Sequence, residues 1–221
     1  MNMHLSTFFS LLAFVFVCGC GNNNDEAATE KAEAYASSTD ENTLNSTRFG
    51  ISVRHPDGWY SLDYDQLNGL LEIGADVATK GNDDLDKVIE ATKKNNYNIF
   101  AIMQHEPGTP VEENPNVIGL AENVSLAPGI KRGSDYFFHA RKLMEQANPN
   151  SIFAEAYETR IIDGVEFDQM DVTVEMAGVV TAQSYYAARN NDFVILIIQS
   201  YVSNEGKTAT DEVIDTITLN W

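Results

Sequence analysis

The chain has 221 residues, with 33 acidic against 14 basic side chains and a formal net charge of −19. Affinity for nucleic acid comes largely from Lys and Arg neutralising phosphates, so this balance argues against DNA or RNA as a partner. It also works against electrostatic adhesion to anionic lipid headgroups.

Residues 5–17 are almost wholly apolar, with Phe8, Phe9, Leu11, Leu12, Phe14, Val15, Phe16 and Val17 at their centre. A membrane-spanning helix needs about 20 such residues, and a run of about 13 fits the hydrophobic region of a secretory signal instead. Val17-Cys18-Gly19-Cys20 follows, and polarity rises at Asn22. This segment resembles the lipobox of bacterial lipoproteins. The resemblance implies a signal peptide over residues 1–19 and a thioether-linked diacylglycerol on the sulfur of Cys20. It departs from the usual pattern in having no Lys or Arg before the apolar run and a cysteine at position 18. Two or more acyl chains hold a protein on a bilayer, each buried methylene contributing roughly 0.8 kcal/mol. Because Cys18 and Cys20 are the only cysteines, the mature domain is expected to have no disulfide and no thiolate metal ligand. Gly21, rather than an aspartate, follows the cysteine. In an organism with two membranes this implies the outer one, facing the periplasm.

Residues 20–45 are rich in Asn, Asp, Glu, Ala, Ser and Thr, with Leu44 the only large aliphatic side chain. Such composition predicts an acidic, flexible tether, because little apolar area is available to offset ordering entropy. Residues 26–35 could form only a weak helix without an apolar stripe. The remainder, residues 46–221, is a suitable length for one domain.

Phe49, Ile51 and Val53 alternate as in a strand, which ends at the Pro56-Asp57-Gly58 turn. Asp63 with Gln66 three residues on predicts a capping box for a helix whose apolar face carries Leu67, Leu70, Leu71, Ile73 and Val77. A second helix is expected over residues 85–94, then a strand over 97–104. Residues 105–116 contain three prolines and three glutamates and read as a long, stiff loop. A strand over 117–126 and a helix over 134–147 follow, the helix with a stripe of Tyr136, Phe137, Ala140, Leu143, Met144 and Ala147.

Four β-rich stretches come next, at 151–162, 165–176, 179–189 and 193–202, separated by Asp163-Gly164, Ala177-Gly178 and Asn190-Asn191-Asp192. Turn pairs of this kind accept positive φ and predict an antiparallel meander. Residues 193–198 are apolar without alternation, which places that strand centrally with both faces covered. Between Phe167 and Met170 the apolar phase of the preceding strand shifts, so a bulge is expected near Gln169. A closing helix over 210–217 leads to Trp221. The fold class is α+β: an antiparallel sheet flanked by helices, an α/β/α sandwich.

The opening strand with Pro56-Asp57-Gly58-Trp59, the late hairpin with Tyr185, Tyr186, Phe193 and Ile195, and the ending Val213-Ile214-Asp215-Thr216-Ile217 resemble the PsbP-like superfamily over residues 46–221. The resemblance implies that fold and a role in binding or assembly rather than catalysis.

Chemistry-bearing motifs are sparse. Gly206-Lys207-Thr208 lacks the earlier glycine of a phosphate loop, position 201 being Tyr. His55, His105 and His139 have no partner at metal-ligand spacing, so no metal site is expected. The acidic run Asn82-Asp83-Asp84-Leu85-Asp86 lacks the glycine and distal glutamate of a calcium loop. There is no Gly-x-Ser-x-Gly elbow. No cofactor and no catalytic residue is implied. Phe138, out of phase with its helix stripe, either packs under a neighbouring loop or is an exposed contact for a partner or ligand; the other candidate contacts are His105 with Glu106 at the edge of the proline-rich loop. The leading expectation is therefore a non-enzymatic protein, attached to the membrane through Cys20, that binds a protein partner. Behind it stand a carrier for a small apolar or amphiphilic ligand and, last, an envelope hydrolase.

Overall fold

The computed structural model describes residues 25–38, 40, 42–79, 83–85, 87, 94–176 and 178–221. The expected signal peptide, Cys20 and most of the helix expected over 85–94 lie outside these residues. In chain order the elements are α1 (Asp25–Ala34), β1 (Ser37–Ser38), β2 (Thr43–Ser46), β3 (Ile51–Arg54), β4 (Tyr60–Ser61) and α2 (Tyr64–Thr79). Then come β5 (Asn96–Met103), β6 (Asn116–Asn123), α3 (Gly133–Ala147), β7 (Ile152–Phe153), β8 (Glu158–Ile162) and β9 (Val165–Met176). The last are β10 (Val179–Asn190), β11 (Phe193–Tyr201), α4 (Asn204–Ile214) and β12 (Thr218–Leu219).

The fold is α+β, with antiparallel sheets flanked by helices. The larger sheet has eight strands in the order β4-β5-β6-β11-β10-β9-β7, with β8 also paired to β9. Its hairpins follow the turn chemistry: Asp163 (φ 45) and Gly164 (φ 79) both sit in the left-handed region that a tight two-residue hairpin requires. Central β11 is buried on both faces. Val194, Leu196 and Ile198 point to a core shared with Leu67 and Leu71 of α2 and Phe137 and Met144 of α3. Ile195 and Ile197 point to a second core with Ile51, Val53, Val213 and Ile214. Each such side chain contributes roughly 2 kcal/mol relative to an exposed one, so two covered faces make β11 the backbone of the domain.

Several expectations need correction. The strand carrying Ile51 and Val53 does not join the main sheet; it forms a four-stranded sheet, β1-β2-β3-β12, laid over the second core. No bulge occurs at Gln169, since β9 keeps an unbroken register with both β8 and β10. Its two ends bury opposite faces: Phe167 faces the second core, whereas Met170, Val172 and Val174 face the α2–α3 core. The register shift lies instead in β5, between Asn98 and Phe100. Strand β6 ends at Asn123, whose Oδ1 accepts from Ser125 N (3.0 Å) and turns the chain. The stretch 151–162 is broken into β7 and β8 along one edge of β9. Helix α4 begins at Asn204, with Ser203 Oγ capping Gly206 N at 2.9 Å, so Gly206-Lys207-Thr208 lies within the helix rather than in a loop before it.

The largest correction concerns the tether. Ala34, Ala36 and Leu44 are buried in the second core, and Ser46 Oγ donates to Ala34 O at 2.7 Å. Ala36 N donates to Ile99 O (2.7 Å), and Tyr35 OH to Leu62 O (2.8 Å). The folded unit thus takes in residues from α1 onward. Small alanines fill spaces against a sheet that the local composition cannot reveal.

Candidate functional site

Helix α3 positions Phe138. Asp135 Oδ2 accepts from the backbone N–H of Lys131 (2.9 Å) and Arg132 (3.2 Å), closing the helix start. Phe137 then turns fully into the core while its neighbour Phe138 is 58% exposed. Lys142 Nζ, one turn on, lies 4.0 Å from the Phe138 ring centroid, and the His139 ring packs T-shaped against it with centroids 5.4 Å apart. Arg141 covers Phe153 of β7 at 4.6 Å and pairs with Glu145 at 2.8 Å. The outer side of α3 therefore presents the Phe138 ring beneath a cation, a surface that suits an aromatic or acidic counterpart.

His105 and Glu106 occupy a different element. Asn114 clamps the loop there: its Oδ1 accepts from His105 N and its Nδ2 donates to His105 O, both at 2.8 Å. Glu113 ties the loop to α4, accepting from Val202 N and Ser203 N, each at 3.0 Å, and from Ser203 Oγ. The His105 side chain is half-buried and Glu106 is exposed. No hydrogen bond or ring contact among the described residues joins either of them to Phe138. The stiffness read from the prolines serves to hold the start of α4. Among the described residues no three His, Cys, Asp or Glu side chains converge to hold a metal.

The densest polar cluster was not picked out from the sequence. Arg160 of β8 reaches across the second face of the sheet to α4, with Nη1 2.7 Å from Asp211 Oδ1 and Nη2 2.6 Å from Asp215 Oδ1. Lys207 Nζ takes the other Asp211 oxygen at 2.6 Å. Fully buried Gln199 donates to Asp211 Oδ1 (3.0 Å) and Thr210 Oγ1 (2.8 Å), and accepts from Tyr186 OH (2.8 Å). Burial pushes the Asp211 carboxyl up, but Lys207, Arg160 and Gln199 outweigh it and hold the group below its ordinary value. A carboxylate kept ionised with both oxygens engaged is a strut, not a proton carrier. A second such strut, Asp168, is buried in β9 and receives Ser134 N (2.7 Å), Arg132 Nε (2.9 Å) and Arg132 Nη2. The one sequence signal for the first cluster is Gln199, a polar residue inside an otherwise apolar strand.

No protein-family model matches this chain, and no curated protein matches it in sequence. Among solved structures it is similar to cyanobacterial PsbP (CyanoP) from Synechocystis sp. PCC 6803, at 13% identity and a TM-score of 0.48, over 91% of this chain and 98% of that one. It is also similar to LpqN of Mycobacterium tuberculosis, involved in cell envelope biogenesis, at 15% identity and a TM-score of 0.40, over 76% and 83% of the two chains. A Bacteroides thetaiotaomicron VPI-5482 protein is similar at 10% identity and a TM-score of 0.40 over 78% of this chain. That match spans only 46% of the Bacteroides chain, less than half its length. No residue role is carried over from any of these proteins.

Proposed function

We propose that the chain is a lipid-anchored, extracytoplasmic binding or assembly protein whose partner docks on the outer side of α3. The location rests on the sequence: an apolar run over residues 5–17 followed by Val17-Cys18-Gly19-Cys20. Where the cell has two membranes, the anchor is the outer one and the domain faces the periplasm.

One observation carries the binding role. Phe138 is 58% exposed on a helix whose opposite side is core, and it is held in place by Lys142 at 4.0 Å. An aromatic ring fixed at the surface is a low-entropy anchor for a protein partner. The charged clusters at Asp211 and Asp168 are internally satisfied and act as scaffold.

A photo-crosslinking phenylalanine at position 138, in the lipidated chain within its own membrane, tests the reading. A discrete protein adduct at 138, absent with the probe at exposed Glu112, supports it. Adducts to lipid alone, or co-purified lipid in native mass spectrometry, would replace it with the carrier. In parallel, Cys20→Ser moves the protein to the soluble fraction; retention at the membrane refutes the anchor.

A further inference from the structure

The ordering of α1 leaves little slack between lipid and domain. Only residues 21–24 separate Cys20 from α1. Even fully extended, the chain from Cys20 to Asp25 reaches roughly 18 Å. The start of α1 must therefore stay close to the bilayer that holds the lipid.

Two series of contacts show which end of the molecule this is. Moving back along α1, Ala34 lies at Ser46 (2.7 Å to its Oγ) and Glu30 at Arg48 (2.7 Å), so the chain advances toward the β2–β3 turn. Likewise Ala36 meets Ile99, whereas Glu30 and Lys31 meet Tyr97, at 3.4 Å from its OH and 5.6 Å from its ring centroid. Both series lead to the end of the main sheet where β5 and β11 begin and β6 finishes. There Tyr97, Phe49 and Phe193 form a three-ring cluster with centroids 5.3–5.7 Å apart.

The same end carries the most exposed large apolar side chain among the described residues. Leu126, 94% exposed, follows β6 in the loop leading to α3. Its neighbours Val124 and Ile130 are buried, and the turns Ala127 N to Val124 O (2.8 Å) and Ile130 N to Ala127 O (3.0 Å) hold it outward. Arg189 fastens the loop by donating to Ile130 O, and Val124 N donates to Asp192 O at 2.7 Å. Trp221 is at this end too, its Nε1 donating to Phe49 O (3.0 Å) while the residue is 41% exposed. An indole with its N–H engaged, on a residue partly open to solvent, suits the interfacial layer of a bilayer.

We propose that this end of the domain rests on the leaflet holding the lipid of Cys20, with Leu126 and Trp221 reaching headgroup level. The proposal rests on the lipid-anchored reading. Apolar insertion drives the contact, since the chain's net charge of −19 offers no general attraction to anionic lipid.

The mature chain has no free thiol once Cys20 is acylated, so a single Leu126→Cys substitution takes an environment-sensitive fluorophore selectively. The lipidated, full-length mature protein is reconstituted into zwitterionic vesicles of phosphatidylcholine and phosphatidylethanolamine, with quencher groups on the acyl chains. The label at 126 is expected to shift blue and lose emission to the quencher. A label at Glu112→Cys, in the β5–β6 loop at the opposite end of the sheet, is expected to do neither. Vesicle-bound protein whose 126 label stays in water overturns the docking geometry and leaves the anchor standing. Protein that carries no acyl chain and does not bind vesicles overturns both.

Discussion

Tyr136 of α3 donates a 2.6 Å hydrogen bond to Glu122 Oε2 of β6, joining the helix to the sheet through a carboxylate largely withdrawn from water. Burial raises the Glu122 pKa above its ordinary 4.5, and the Tyr136 bond only partly offsets this. Between the unfolded and folded values the native state binds more protons than the unfolded chain. Stability therefore falls as pH rises through that window, and the penalty is full above the folded pKa. Glu122→Gln should raise stability at neutral pH by roughly 1 kcal/mol, the scale of one hydrogen-bonded polar group freed of its charge. The gain should shrink as pH falls through that window and vanish below 4.5, where the carboxyl is protonated in both states. Urea denaturation at several pH values checks this; a pH-independent gain would refute the assignment.

The Arg160–Asp211 strut predicts the opposite acid behaviour. Asp211 and Asp168 titrate below their ordinary 3.8, so the stability they contribute is present above that pH. It is lost as pH falls through their folded values. Arg160→Ala should cost about 2 kcal/mol, between the values for exposed and fully buried ion pairs. In a double-mutant cycle with Asp211→Asn the two losses should be clearly non-additive. Additive losses would mean that the 2.7 Å contact contributes nothing.

Gly119 faces the Phe100 ring across the β5–β6 pair, and a Cβ there would lie 2.3 Å from Phe100 Cε1. Gly119→Ala should destabilise by about 2–3 kcal/mol through overpacking. The loss should be smaller in a Phe100→Ala background, where the ring is gone. Equal losses in both backgrounds would place the strain elsewhere.

Residues 25–36 behave as part of the domain. Their removal takes away buried Ala34 and Ala36 and the bond from Ala36 N to Ile99 O. Stability should fall on the order of 2 kcal/mol, with a lower urea midpoint. A free spacer would leave the midpoint unchanged.

What the sequence disclosed depended on how local the cause was. The Asp63–Gln66 cap is reciprocal over three residues, with bonds of 2.9 and 2.8 Å, and was readable directly. Strand β11 announced itself by six consecutive apolar residues, and Phe138 by its phase on α3. Helix α1 was legible as a weak helix but its docking was not, because Ala34 and nearby Ala36 are small and their partners, Ser46 and Ile99, come later in the chain. The phase change in β9 looked like a bulge because periodicity records which residues are covered, not which element covers them. The Arg160–Asp211 contact spans 51 residues, and each partner alone looks like a solvated surface charge.

The small sheet has a consequence for biogenesis. Its strand β3 needs β12, with Thr218 opposite Ser52, and Arg54 N donates to Thr216 Oγ1 across 162 positions. Trp221 closes on Phe49 over 172 positions. Contacts between such distant segments form late, after loop closure. During ribosomal synthesis β3 thus waits, unpaired on one side, until residues 216–221 emerge.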